Sequence, residues 1–209
     1  MFPHPSLADD DGLLAIGGDL SVERLLLAYQ HGIFPWFSDE TPILWYAPHE
    51  RFVLDPKEFK ITKSMRQLIR NPYFHMAYNT AFSEVIHRCA TTERKGQQGT
   101  WITTDMQEAY IRLHKLGYAH SIETYNENGL LVGGLYGIQI GSIFCGESMF
   151  SDVSNASKLA LVYLCQQFNF ELIDCQIHSE HLASLGAKFI SGSAYYELLQ
   201  KEKAEPFAI

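Results

Sequence analysis

Residues 119–150 read AHSIETYNENGLLVGGLYGIQIGSIFCGESMF, and this stretch decides the fold. Apolar and polar residues alternate through residues 119–125, which is the period of a strand with one buried face. The Asn-Gly pair at 128–129 is a turn signal of the kind that joins antiparallel neighbours. An apolar run over 130–138 follows, and after Gly141 a further apolar run closes the stretch. The sequence therefore predicts a three-stranded antiparallel meander.

Helices and one more strand are predicted on both sides of the meander. Upstream, Thr104-x-x-Gln107 resembles a capping box that opens a helix over residues 105–116, which ends at Gly117. Downstream, the pattern predicts a helix over 156–167 with Ser154 or Asn155 as its cap, a strand over 170–177, and short helices near 181–185 and 195–203. These elements together predict an α+β fold with a mainly antiparallel sheet.

Residues 1–50 form a loop-rich unit in front of this region, because five prolines punctuate them. They contain one predicted helix, from residue 22 to 30 or 31, with Ser21 as its N-cap and Gly32 beyond its end. The sequence thus separates a compact, loop-rich segment, residues 1–50, from the rest of the chain.

Composition narrows the class of protein. With 209 residues, 46% hydrophobic and 19% charged, the chain suits one domain or a domain with a small appendage, and it is not globally disordered. The four cysteines form no C-x-x-C pair, and the amino terminus has no basic segment followed by an apolar run. The most apolar stretch, residues 130–145, contains four glycines and falls short of the ~20 apolar residues of a membrane span. A cytoplasmic, reduced protein without a transmembrane helix is expected.

The formal charge of −8 conceals a basic segment. Between residues 51 and 95 nine bases face four acids, a net charge of +5, and the remainder of the chain carries −13. Within this segment four bases are spaced so that a helix would align them on one side, and no acid lies between them: Lys60, Lys63, Arg66 and Arg70. This basic stripe is either a solvated surface or a site for an anionic partner such as a nucleic acid.

Three polar residues in apolar surroundings are candidates for chemistry. Strand alternation would place Asp174 and Gln176 on the same side of the last strand, with Cys175 on the other. Glu147 is a single acid between bulky apolar residues beside a glycine, and it suits a cationic ligand. Each has an ordinary structural alternative, a wet strand edge for the pair and a carboxylate paired with lysine for Glu147.

Two further motifs are weaker. Cys175-x-x-His178-x-x-His181 has the spacing of metal ligands, yet no fourth ligand is evident. Cys145 or Cys175 beside a histidine would be a thiol nucleophile, although buried cysteines are often inert. No metal is expected.

An ordered set of blocks resembles the leucyl/phenylalanyl-tRNA–protein transferase family. The blocks cover most of residues 2–190: DGLLAIGGDLS (11–21), GIFPWF (32–37), PILW (42–45), GTWI (99–102), AHSIE (119–123), LVGG (131–134), FCGESMFS (144–151), NASK (155–158) and LIDCQ (172–176).

The resemblance implies a small N-terminal α+β domain, residues 1–55, followed by an acyltransferase domain, residues 56–209, similar to the acetyl-CoA-dependent (GNAT-type) N-acetyltransferases. It implies transfer of leucine or phenylalanine, with methionine as a further candidate, from aminoacyl-tRNA to the α-amine of proteins that begin with Arg or Lys. The product carries a destabilising amino terminus under the N-end rule of protein degradation. Neither a metal nor an organic cofactor is implied.

The resemblance also assigns roles by position. Asp174 and Gln176 resemble the catalytic pair, and Glu147 resembles the acid of the acceptor site. The residues that resemble holders of the terminal adenosine are Trp36, Trp101 and Phe144, and those that resemble walls of the donor side-chain pocket are Gly146, Met149, Phe168 and Ile173. The basic stripe would bind the tRNA. We expect Gln176 to orient the attacking amine, with Asp174 fixing Gln176 and favouring the positive charge that develops on nitrogen.

Departures from the family pattern leave open the donor preference, at residues 164 and 135, and any role of the arginine that is missing near residue 192. Leu164 stands where many members have an aromatic residue, Leu135 where they have methionine, and Ile190-Ser-Gly192 where they have Ile-Pro-Arg. Two alternatives also stay open: an N-acyltransferase of the same fold with an acyl-thioester donor, and a non-catalytic module that binds tRNA or peptide.

Overall fold

The computed structural model describes residues 1–70, 73–92 and 101–202. The helices in these ranges are α1 (Val22–Gln30), α2 (Lys63–Ile69), α3 (Phe82–Thr91), α4 (Thr104–Lys115), α5 (Ala156–Gln167), α6 (Glu180–Ser184) and α7 (Gly192–Leu199). The strands are β1 (Leu13–Ile16), β2 (Phe34–Pro35), β3 (Leu44–Tyr46), β4 (Glu50–Leu54), β5 (Phe74–Tyr78), β6 (Ala119–Asn126), β7 (Leu131–Ile140), β8 (Ile143–Ser151), β9 (Leu172–Gln176) and β10 (Lys188–Ser191).

A seven-stranded sheet in the order β10-β4-β9-β8-β7-β6-β5 forms the centre of the molecule. The predicted meander is β6–β7–β8, and its neighbours are antiparallel as expected. Only the contact between β8 and β9 is parallel within this sheet, because α5 connects these two strands. The fold is therefore mixed α+β with a mainly antiparallel sheet, as predicted.

Helices cover both faces of the large sheet. Tyr136 of β7 is buried in the cluster that includes α3 and α4, whereas the adjacent Leu135 is buried in the cluster that includes α5. Close packing on the α5 side requires a glycine in β7, because a Cβ at Gly133 would lie 2.5 Å from the Cβ of Ala156. These layers leave the ends of β8 and β9 as the place where a cleft can form.

The N-terminal segment contributes to both sheets. Strands β1, β3 and β2 form a separate three-stranded sheet, and Trp45 of β3 shares one core cluster with α1 and α4. Strand β4 instead pairs with β9 and β10 in the large sheet. Because β4 precedes residue 55, the large sheet includes chain from both sides of the predicted domain boundary, and the division at that residue stays a prediction.

Several helix boundaries differ from expectation. The helix predicted from the basic stripe is short: Thr62 caps α2 by accepting from the backbone of Met65, so Lys60 lies before the helix. The cap of α4 is Thr103, one residue earlier than predicted, because its hydroxyl accepts from the backbone of Met106. Helix α7 begins at Gly192, not near 195, since the Ser191 hydroxyl caps it.

Helix α5 has the predicted bounds, with Asn155 at its N-cap in the left-handed conformation and no side-chain cap bond. Parts of other predictions lie outside the described residues: the helix end at 71–72, residues 99–100 of one block, and residue 203 of the last helix. None of the helices in the described ranges is long and apolar enough to cross a membrane.

Candidate active site

A cavity of about 480 Å³ opens where β8 and β9 part. The two parallel strands are paired only through Ile143–Cys145 and Leu172–Asp174, and β8 then continues beside β7 alone. Ligands of open sheets commonly bind beyond the carboxyl ends of parallel strands. The cavity occupies that position, with walls from α5, β2 and the turn that follows β9.

Nine of the ten residues predicted for catalysis or substrate binding line this cavity: Asp174, Gln176, Trp36, Trp101, Phe144, Gly146, Glu147, Met149 and Ile173. The tenth, Phe168, is not part of the lining. Its ring stacks on Phe170, which in turn contacts Phe144, so Phe168 lies one aromatic layer behind the wall.

Asp174 is buried in an ion pair that the sequence did not predict. Its two oxygens accept from Nε and Nη2 of Arg51 at 2.8 and 2.6 Å, in a bidentate arrangement. The Tyr195 hydroxyl and the backbone N–H of Gln176 complete the set, at 2.9 and 2.8 Å. Although burial alone lowers the pKa of Arg51, the Asp174 carboxylate raises it above its ordinary value. The guanidinium and the carboxylate therefore form a buried, bidentate ion pair.

Gln176 occupies a tight turn at the end of β9. Its φ is +63°, and the N–H of Ile177 donates to the carbonyl of Cys175 at 2.8 Å, which defines a γ-turn of the strained, left-handed type. The residue pairs with β4 after a bulge, since Phe52 faces Gln176 and Val53 faces Asp174, so Cys175 has no partner. Bulges next to active sites redirect side chains, and this one explains why strict alternation does not describe the end of β9.

Glu147 lies at a second bulge, in β8. Gly137 of β7 faces Gly146 and Tyr136 faces Ser148, so Glu147 is the unpaired residue between them. Its Oε1 accepts from Nε2 of Gln176 at 2.7 Å and its Oε2 accepts from the Tyr110 hydroxyl at 3.1 Å. Two bulges thus bring together an acid and an amide from different strands.

The pKa of Glu147 lies close to neutral pH. Burial raises the pKa of Glu147 from 4.5 to about 7, although hydrogen bonds with Tyr29, Tyr110 and Gln176 lower it. In the described part of the chain no base forms an ion pair with this carboxylate, in contrast to Asp174. Glu147 is therefore a buried carboxylate of the cavity lining that has no ion-pair partner among the described residues.

The rest of the cavity is apolar and aromatic. Leu135, Leu161 and Leu164 contribute aliphatic surface, and the indoles of Trp36 and Trp101 lie at the wall. Trp36 is 41% exposed and thus available to a ligand, whereas Trp45 is buried in the core and its indole nitrogen donates to the carbonyl of Gly17. Of the three tryptophans, two belong to the site and one to the core.

The cysteine and metal alternatives gain no support from the geometry. Burial raises the pKa of Cys145 and that of Cys175 above the usual range of a thiol, so neither forms a thiolate readily. Across residues 1–70, 73–92 and 101–202, no cluster of three His, Cys, Asp or Glu side chains could hold a metal ion.

The basic stripe is exposed and separate from the cavity lining. Lys63 and Arg66 lie on α2, while Lys60 and Arg70 flank it. The opposite side of this helix packs against α5 through Met65. Since α5 also forms one wall of the cavity, the stripe and the cavity are connected through a single helix.

Sequence reasoning missed the groups that support the site. In the sequence Arg51 is only one base of a basic segment, and no pattern indicates a role for Tyr195 or Tyr110. A base at the start of the apolar strand RFVL is an available signal, because a charge buried in a sheet requires a partner.

Comparison with known proteins supplies the remaining evidence. A family model described as "Leucyl/phenylalanyl-tRNA protein transferase" matches residues 53–200, and the model of that family's N-terminal domain matches residues 18–49.

Relatives of the same name match over nearly the full chain. The leucyl/phenylalanyl-tRNA–protein transferase of Syntrophus aciditrophicus is 54% identical over 99% of this chain and 87% of its own length. That of Flavobacterium johnsoniae is 50% identical over 96% of each chain. Among solved structures, one described as FemX has a TM-score of 0.52 at 11% identity, covering 89% of this chain and 74% of its own, which shows a likeness of fold.

Proposed function

The chain belongs to the leucyl/phenylalanyl-tRNA–protein transferase family, and on that premise we propose how its cavity carries out the reaction. The protein is an aminoacyltransferase that moves leucine or phenylalanine from an aminoacyl-tRNA to the amino terminus of a protein. Our proposal adds that its acceptors begin with Arg or Lys and that the cavity between β8 and β9 holds both substrates. Because aminoacyl-tRNA is the donor, the reaction belongs in the cytoplasm.

The donor occupies the aromatic and apolar part of the cavity. Trp36 and Trp101 offer flat surfaces on which the terminal adenine stacks, at about 1–3 kcal/mol per base. The leucine or phenylalanine side chain enters the pocket between β8 and α5, where Met149 and Ile173 form part of the wall. An apolar pocket discriminates modestly among such side chains, which fits a donor range of Leu, Phe and Met.

The acceptor occupies the side of the cavity at Glu147, and the unpaired charge of this buried carboxylate is the observation that carries the proposal. A guanidinium or ammonium group there forms the ion pair that the described chain does not provide. Asp174 is unsuited to this role, because Arg51 already neutralises it. A neutral first residue such as alanine leaves Glu147 without a cation, so selection of Arg or Lys follows.

The chemistry is attack of a neutral α-amine on an ester. The pKa of an α-amine is about 7.7–8, so a useful fraction is neutral near pH 7 and no strong base is needed. The amine nitrogen forms a bond to the ester carbonyl carbon, and the bond from this carbon to the ribose oxygen breaks. The tRNA hydroxyl leaves with the proton that the amine loses.

Gln176 positions the attacking amine. Its Nε2 is held by Glu147, and within the described residues its Oε1 accepts no hydrogen bond, so this oxygen is free to accept from the amine. A carboxamide is too weak a base to remove a proton outright, and most of the rate therefore comes from orientation. The expectation that Asp174 favours the developing positive charge loses its basis, since its own charge is cancelled by Arg51.

The basic stripe formed by Lys60, Lys63, Arg66 and Arg70 binds the tRNA backbone in this proposal. Exposed bases on and around α2 neutralise phosphates, while the adjacent α5 forms a wall of the cavity that receives the terminal adenosine. The product, with leucine or phenylalanine at its amino terminus, carries a destabilising amino terminus under the N-end rule of protein degradation.

We also infer the finer architecture from these features. The parting of a parallel strand pair at the centre of a mainly antiparallel sheet suits a GNAT-type acyltransferase domain, preceded by a small N-terminal domain. Family membership favours an aminoacyl-tRNA donor over the acyl-thioester alternative and over a non-catalytic module.

A transfer assay tests the proposal. Labelled leucyl-tRNA is offered with two peptides that differ only in a first residue of Arg or Ala, and label should enter the Arg peptide. Equal labelling of both peptides would contradict the role of Glu147, and transfer from acyl-CoA in place of leucyl-tRNA would revive the thioester alternative.

A further inference from the structure

We infer that Arg51 is a positioning residue for the transfer, which acts through Asp174 on the backbone of Gln176. The inference rests on the proposed role of Gln176 in orienting the amine. Arg51 lies 123 positions before Asp174 in the sequence. In β4 it lies two residues before Val53, the residue that pairs with Asp174.

Asp174 has no capacity left for a substrate. A carboxylate offers about four acceptor positions, and here four hydrogen bonds fill them: two from Arg51, one from Tyr195 and one from the backbone of Gln176. The residue is completely buried. Asp174 therefore contributes to the reaction through the residues that it hydrogen-bonds. Among these residues, Gln176 has the side chain that faces the substrates.

The bond to Gln176 holds a strained conformation. The γ-turn at this residue has a positive φ, which costs free energy unless surrounding groups fix it. Oδ1 of Asp174 accepts from the Gln176 N–H at 2.8 Å and also from Nε of Arg51 at 2.8 Å. Arg51 therefore holds Oδ1 of Asp174 in place, and this oxygen holds the γ-turn at Gln176. As a result, the Gln176 carboxamide points into the cavity.

Arg51 is itself rigidly held, which a positioning residue requires. Its guanidinium lies between the rings of Phe34 and Tyr195, 4.7 and 4.8 Å from their centroids. Its third donor, Nη1, reaches the carbonyl of Gly32 at 3.0 Å. Phe34 lines the cavity two residues before Trp36, so one guanidinium connects the donor wall to the turn that orients the acceptor.

Lysine cannot replace this arrangement, because it has one point charge in place of a planar fork that spans two carboxylate oxygens and a carbonyl. In Arg51→Lys, kcat for transfer to an Arg-started peptide should fall about ten- to a hundredfold, the loss typical of a misplaced reacting group. The KM values for leucyl-tRNA and for the peptide should change by less than about threefold, since neither substrate touches Arg51.

A matched control and a local probe separate this effect from general damage. Arg88 also pairs with an aspartate, Asp152, and lies over an aromatic ring, although this pair is partly exposed and Arg88 is not among the residues that line the cavity. Arg88→Lys should keep the wild-type kcat. Hydrogen exchange should accelerate in residues 172–179 of Arg51→Lys and stay unchanged in β6 and β7, whereas a merely structural defect would accelerate exchange in both.

A double variant covers the case in which a single substitution prevents folding. Arg51→Gln leaves Asp174 charged and unpaired, while Arg51→Gln with Asp174→Asn is neutral and keeps hydrogen-bonding groups at both positions. If Arg51 acts through Asp174, kcat of the double variant should be no lower than that of Asp174→Asn alone.

The inference is overturned if Arg51→Lys keeps the wild-type kcat, if its loss appears in KM instead, or if the two kcat defects multiply in the double variant. Failure of the proposed function is recognised separately, because the wild-type protein would then transfer no leucine to the Arg-started peptide at all.

Discussion

Nε2 of Gln176 donates to Oε1 of Glu147 over 2.7 Å, across the gap that opens between β9 and β8. The amide and the acid therefore behave as one unit, and a change in the charge of Glu147 is felt by the group that orients the attacking amine. The burial that suits this unit to a cationic substrate also makes the empty site costly to keep charged.

The first prediction concerns stability and pH. Because burial raises the pKa of Glu147 from 4.5 to about 7, the folded protein retains a proton between these pH values that the unfolded chain has lost. The free energy of unfolding contributed by this group therefore falls as pH rises from 4.5 to 7 and is level above 7, with a total loss of roughly 3 kcal/mol.

Glu147→Gln removes this titration. Its amide oxygen can still accept from Gln176, while its amide nitrogen replaces the oxygen that accepts from Tyr110 and must donate to that hydroxyl instead. Its stability relative to the wild type should increase between pH 5 and pH 7 and level off by pH 8 in denaturant unfolding experiments. A difference between the two proteins that is constant over this range would show that Glu147 is ionised throughout.

The second prediction concerns the acceptor. A cationic first residue binds the ionised form of Glu147, so the KM for an Arg-started peptide should rise by up to about tenfold per pH unit below pH 7. Titration of the peptide's own α-amine is common to all variants.

The Glu147→Gln variant should lose the part of the pH dependence of the peptide KM that Glu147 causes. At pH 8 it should have a higher KM for the peptide and a nearly unchanged KM for leucyl-tRNA. An equal rise of both KM values at pH 8 would point to general disruption of the cavity.

Elements that depend on nearby residues could be predicted from the sequence, whereas contacts between distant strands could not. The meander and α5 follow from patterns within a few residues, namely alternation, an Asn-Gly turn and helical periodicity, and both were predicted. The ion pair of Arg51 and Asp174 joins two strands that are neighbours only in the folded sheet. A local pattern can therefore indicate that Arg51 needs a partner, but it does not identify that partner as Asp174.

The bulges at Glu147 and Cys175 set a second limit. Alternation assigns each strand residue to a face, and one extra residue reverses the assignment for everything that follows. The identities of Glu147 and Gln176 as candidates came from the sequence, while the fact that their side chains meet came from two bulges that alternation does not reveal. The prediction that Lys60 lies on the same helix as Lys63 is also wrong, because Thr62 caps α2 and the helix begins after Lys60.

The third prediction concerns the basic stripe. Reversal of charge in Lys63→Glu with Arg66→Glu should raise the KM for leucyl-tRNA and flatten the dependence of tRNA affinity on salt, because fewer counterions are released on binding. Both side chains are exposed, so thermal stability should change little.

A charge-matched control is available in Lys115→Glu with Lys201→Glu, which changes the net charge equally at exposed positions of α4 and beyond α7. This variant should retain most of the tRNA affinity in a binding titration at several salt concentrations. Equal weakening in both double variants would show that the stripe acts only through net charge.

The fourth prediction concerns donor preference. Leu164 is buried at the wall of the cavity that α5 provides, and Leu164→Ala enlarges the pocket on that side. Since each methylene in an apolar pocket is worth about 1–3 kcal/mol, the ratio of kcat/KM for phenylalanyl-tRNA to that for leucyl-tRNA should rise about tenfold or more. Removal of a buried leucine also destabilises the fold, by about 2–5 kcal/mol.

Leu159→Ala provides the matched control, because Leu159 is equally buried on the same helix but faces the cluster beneath α2 and does not line the cavity. This control should be destabilised to a similar extent and keep the wild-type donor ratio. A shift of the ratio in both variants would mean that the preference depends on the rigidity of α5, whereas a shift in Leu164→Ala alone would identify its side chain as a determinant of which amino acid is transferred.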